Sequence, residues 1–132
     1  TKFLGRYGKG NSGPGKDPCK LYRNFPTDAD YVLLEFDFYE IDSWDSGEKD
    51  FVWVVIDGKE ILLGSFDSEE NENGTERTEF GISISISSRS PPRHIGFNSQ
   101  WKDQIHRVSA QIPKEYYADG EIKLAFMTLL NE

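Results

Sequence analysis

The feature that most constrains this chain is an apolar repeat with a period of two. Between Phe80 and Ser87, Ile82, Ile84 and Ile86 alternate with Ser83, Ser85 and Ser87. Such a repeat sends successive side chains to opposite faces of a strand, whereas a helix needs apolar positions three and four apart. Val32, Leu34, Phe36 and Phe38 repeat the pattern, with Tyr31, Glu35, Asp37 and Tyr39 on the second face. His106, Val108, Ala110 and Ile112 do the same, as do Ile122, Leu124, Phe126, Thr128 and Leu130. The run Phe51 to Ile56 is apolar on both faces, which predicts a central or covered strand. Helical periodicity is limited to one turn at Lys114 to Ala118.

Turn chemistry separates these runs. Asp57-Gly58, between Phe51–Ile56 and Ile61–Leu63, predicts a hairpin, because a type I′ turn needs positive φ at both central residues. Asp119-Gly120 introduces the last strand, and Pro113 ends the one before it. The polar stretch Asp67 to Glu79 reads as a long exposed loop or hairpin tip, and Gly5 to Pro18 reads as loop. Several strands at hairpin spacing predict an all-β chain folded as an antiparallel β-sandwich. At 132 residues it is long enough to bury a core as one domain over residues 1–132.

Charge and composition exclude several functions. A net charge of −8 opposes nucleic acid, whose phosphates such a surface repels. No run approaches the roughly 18 apolar residues that argue for a membrane span, so direct membrane insertion is not expected. Cys19 is the only cysteine, which removes any internal disulfide and any cysteine-based zinc cluster.

The densest polar cluster is Glu40 to Glu48, at the end of the first strong strand. Acids a few residues apart in a turn can converge on a hard cation such as Ca²⁺, which takes six to eight oxygens. The order of residues is not that of an EF-hand loop. A solvated acidic loop is the competing reading, and Asp103 and Asn98 add oxygens only if their loop lies at the same end. Glu35 and Asp37, with Glu40 nearby, have the spacing of a glycosidase carboxylate pair. Any two alternate acids on a strand satisfy that spacing, so no catalytic role is assigned. Trp53 lies in an apolar strand and reads as core. Trp44 and Trp101 lie in polar loops, where an aromatic either stacks on a sugar ring or folds back over the end of the sandwich. His106 alternates with apolar residues and reads as a core or edge histidine, and His94 as a loop residue. The serines of the Phe80 to Ser88 run read as sheet surface.

Four stretches together resemble a recurring module. They are Phe3 to Gly8, Leu34 to Asp45 with Ile41-Asp42-Ser43-Trp44-Asp45 as its specific core, and Trp101 to Val108 followed by Gly120 to Phe126. The chain resembles the jelly-roll-like calcium-binding modules of large secreted and surface proteins, including bacterial adhesins of the RTX type and surface proteins of protists and algae. The resemblance implies a jelly-roll-like sandwich, an extracellular or cell-surface setting, and calcium in the loop after the first strong strand. Such modules continue past the equivalent of Leu129 to Glu132 into a closing C-terminal strand. That strand is therefore expected to be missing here or supplied by another segment or chain, leaving a sheet edge open.

The resulting expectation is a non-catalytic binding module. Glu40, Asp42 and Asp45 would be the metal ligands, Asp103 a fourth, and Trp44 and Trp101 would contact a glycan or peptide. The alternatives are an assembly domain that docks a neighbouring protein domain at its sheet edge and, third, a glycoside hydrolase.

Overall fold

The computed structural model describes residues 19–41, 50–66, 74–88, 91–96 and 98–129. Eight strands follow in order: β1 (Cys19–Pro26), β2 (Val32–Glu40), β3 (Phe51–Ile56), β4 (Lys59–Ser65), β5 (Thr75–Glu79), β6 (Ile82–Ser88), β7 (Gln104–Ile112) and β8 (Glu121–Leu129). One short 3₁₀ turn, Lys114–Tyr117, links β7 to β8. The strands form two four-stranded antiparallel sheets, β1-β8-β3-β4 and β2-β7-β6-β5. The fold is an all-β sandwich. The pairs β1–β8 and β2–β7 join strands far apart in the sequence, while the hairpins β3–β4 and β5–β6 each stay within one sheet.

The alternation read from the sequence becomes the core. Val52, Val54, Ile56, Ile61 and Ile122 from the first sheet meet Ile82, Ile84, Ile86, Val108 and Ala110 from the second. Val32, Leu34, Phe36 and Phe38 pack half-buried against them. Each fully buried Val or Ile contributes about 1.5–3 kcal/mol relative to exposure, so this interdigitated layer holds the sheets together. As expected, β3 is covered on both faces: Val55 belongs to a second cluster with Ala125 and Met127, on the outer side of the first sheet. Trp53 packs half-buried against that outer cluster rather than in the main core.

Three local readings change. Cys19–Pro26 is a strand that its weak alternation does not announce, and it forms through its ladder with β8. Thr75–Glu79, expected within a polar loop, is β5, paired with β6. Phe80 does not start the next strand; with Gly81 it forms the hairpin turn, at φ 53° and 77°. The predicted turn at Asp57-Gly58 has the same left-handed form, at 47° and 77°. The edge strand β5 points Arg77 and Glu79 towards the core side, paired at 3.3 Å, and Arg77 also donates to the Leu62 carbonyl of β4. Inward charges on an edge strand discourage pairing with another chain. Here they also close the seam between the two sheets.

Candidate functional site

Strand parity decides where Glu40 goes. It continues the row Val32, Leu34, Phe36 and Phe38, so its carboxylate faces the interior, and it is fully buried. Glu35 and Asp37 lie on the opposite face. A glycosidase pair that includes Glu40 is therefore not brought together, and Asp37 is held by Arg107, with Nε 2.8 Å from its Oδ1.

Across the ladder Glu40 pairs with Gln104, and two residues further along β7 stands His106, also facing inward. His106 Nε2 lies 3.0 Å from Glu40 Oε2, and both side chains are cut off from solvent. Because ionised carboxylates only accept, the ring nitrogen donates. Phe38 and Phe66 flank the imidazole at ring distances of 5.7 and 4.7 Å, which keeps water from the pair. The reading of His106 as a core histidine holds. Burying a carboxylate costs several kcal/mol unless hydrogen bonds or charge compensate it, and His106 provides one such bond.

Asp103 immediately precedes β7 and is also fully buried. Its Oδ2 accepts from the backbone N–H groups of Ile95 and Gly96 at 2.5 and 2.6 Å, while its backbone pairs in both directions with Arg93. Asp103 thus closes the loop that carries Trp101. In that loop His94 Nδ1 donates to the Trp101 carbonyl at 2.7 Å, and Asn98 Oδ1 accepts from the Gln100 N–H at 2.9 Å. Trp101 itself is 37% exposed.

Glu40 and Asp103 therefore lie at one end of the sandwich, as a shared site requires, but their Oε2 and Oδ2 atoms hold different partners. Asp42, Trp44 and Asp45 lie outside the described residues. Among the described residues, no three histidine, cysteine, aspartate or glutamate side chains converge in a metal-holding group. Two buried polar residues were missed by sequence reasoning: Asp50, which precedes β3, and Gln104. Gln104 could have been found, since it shares the parity of His106, Val108 and Ala110. Asp50 had no such signal, because it belongs to no alternating row that the sequence shows.

No family model, curated protein or solved structure matches this chain. Function must therefore be argued from its own residues. Among the described residues, no helix is long and apolar enough to cross a membrane.

Proposed function

We propose that this chain is a non-catalytic, calcium-stabilised binding module of an extracellular or cell-surface protein, recognising a glycan or peptide. The observation that carries this reading is the burial of Glu40 and Asp50 at the two ends of the connection between β2 and β3. Both carboxylates already engage other groups of the chain, and a hard cation takes further oxygen lone pairs of such side chains. The donor chemistry fits calcium: Glu40 and Asp50 would hold the ion together with Asp42 and Asp45, while Asp103 would support the neighbouring loop. When bound, the ion would fix the ends of β2 and β3 and the acidic connection between them.

The test is a thermal melt of the full chain in EDTA and then in excess Ca²⁺, with elemental analysis of the purified protein. A ligand at a hundred times its Kd stabilises by about 2.7 kcal/mol. For a chain of this size that is a Tm rise of about 10 °C. Asp42→Ala and Asp45→Ala should each remove most of the rise. An unchanged Tm in a protein shown to carry no metal would end the calcium reading.

One observation favours the second reading, an assembly domain that docks a partner at its sheet edge. On the edge strand β1, Tyr22 is 77% exposed, and Tyr31 and Leu33 are exposed at the start of the neighbouring edge β2. Exposed aromatics beside a strand edge that pairs with no further described strand are the features a β-augmenting partner uses. Concentration-dependent oligomerisation, lost in Tyr22→Lys, would support that reading over the first.

A further inference from the structure

The outer face of the second sheet has a shape that follows from its register. Reading across β5, β6, β7 and β2, one row is Glu76, Ser85, Ser109 and Glu35, and the next is Thr78, Ser83, Gln111 and Leu33. In the first row the two central strands present serines and the two edge strands present glutamates. Short side chains between long ones make a trough, and a shallow open concavity lies there, lined by Glu76, Thr78, Ser83, Ser85, Ser109 and Gln111, with Arg77 and Ile84 at its β5 side and floor. Strands lie about 4.8 Å apart and same-face residues about 6.8 Å apart along a strand, so the floor is a regular grid of hydroxyl and amide groups.

A second observation separates this face from an ordinary wetted sheet. Cross-strand polar pairs commonly satisfy one another, and Asp37 with Arg107 does so one row further along. In the two trough rows, by contrast, Glu35, Glu76, Ser85, Ser109 and Gln111 have no side-chain hydrogen bond or ion pair to another described residue. Four of these groups, those of Glu76, Ser85, Ser109 and Gln111, thus line one concavity with their bonding capacity open.

We infer that this trough is a binding site for a linear neutral oligosaccharide. The floor is too polar for an apolar ligand. Glu35 and Glu76, on the two edge strands of this face and in a chain of net charge −8, disfavour an anionic one even with Arg77 in the lining. Vicinal sugar hydroxyls need closely spaced acceptors and donors, which the glutamates, serines and Gln111 supply. Leu33 and Tyr31, both exposed on β2, offer an apolar flank for the face of a sugar ring. The trough follows the direction of β6 and β7, so it accepts a chain lying along the strands rather than a terminal residue. This inference rests on the reading of the chain as a binding module and gives that module its ligand class and its face. It does not depend on calcium.

The experiment is an amide chemical-shift titration of the full chain. The probes are cello-, xylo-, manno- and chito-oligosaccharides, an oligogalacturonate as the anionic control and a short oligolysine as the peptide control. The expected result is movement of the Ser83, Ser85, Ser109 and Gln111 amides with at least one neutral oligosaccharide and none with the oligogalacturonate. Ser85→Tyr, which fills the floor, and Glu35→Gln with Glu76→Gln, which weakens both walls, should each reduce affinity by tenfold or more. Neither should change the calcium response of Tm. Movement with oligolysine alone would overturn the saccharide assignment. Saccharide-induced movement confined to residues 93–103 would overturn the trough while leaving the binding-module reading in place. No movement with any probe would overturn the trough, and the calcium melt would then judge the module reading separately.

Discussion

Two regions of this molecule are built from the same kinds of polar residue and use them in opposite ways. At the Glu40 end, carboxylates, an imidazole and an amide are buried, and Glu40, His106 and Asp103 engage neighbours across the chain. On the outer face of the second sheet, glutamates, serines and Gln111 are open to solvent and engage none of the described residues. The difference shows that residue type does not decide whether a polar group is structural. Desolvation does: a buried group without its partner costs stability, while an exposed one exchanges water for a ligand.

The contrast can be tested at its strongest point first. His106→Ala leaves the Glu40 carboxylate buried without its imidazole and should cost about 3–5 kcal/mol, measured by urea unfolding. Replacing both partners, as Glu40→Leu with His106→Phe, should recover most of that loss when all variants are compared in EDTA, where no bound calcium contributes. If the single variant cost under about 1 kcal/mol, the polar end would not be held as described. Asp103→Ala comes next. It removes two short bonds to backbone N–H groups and should cost about 2–3 kcal/mol, with increased amide exchange at Ile95 and Gly96.

A smaller effect of opposite sign is expected at Tyr117. Its hydroxyl is buried in the core with no hydrogen-bond partner among the described residues. Tyr117→Phe removes that group and should leave stability unchanged or raise it by about 1 kcal/mol. On the outer face, Ser85→Ala with Ser109→Ala should stay within about 0.5 kcal/mol of the parent. A larger loss there would mean that the serines are structural and would erase the contrast.

The smallest effect belongs to the exposed pair Lys114–Asp30, 2.6 Å apart. The hydrogen bond from Lys114, and then its charge, hold the Asp30 carboxyl below its ordinary range, and Asp30 raises Lys114 in return. The contribution of Asp30 is present above its unfolded pKa and lost as pH falls through the lowered folded value. That of Lys114 is present below its unfolded pKa and lost as pH rises through the raised one. Between pH 5 and 9 the pair should therefore add no slope to stability. Both side chains are solvated, so Asp30→Asn should leave the urea midpoint at pH 7 unchanged in 0.5 M salt.

Much of the fold was legible because period-two alternation is local. The isoleucines of β6 and the inward row of β7 stand where the alternation places them, and Asp57-Gly58 turns as its chemistry requires. The strands that escaped, β1 and β5, alternate poorly. Arg23 and Arg77 occupy core-side positions on these two edges, which masks the pattern. Of the candidate site, the inward direction of Glu40 was available from parity, since it continues the row that ends in Phe38. Its partner His106, 66 residues away, was not.

The sequence by itself determined most of the strands and most of their faces, because each depends on local spacing. Only the tertiary structure decided that Glu40 meets His106, that Asp103 closes a loop, and that serines on two strands form the floor between glutamates on two others. Those relations depend on which strands become neighbours and in what register. Register is settled by burying the apolar face of all eight strands together, an energy no single segment carries.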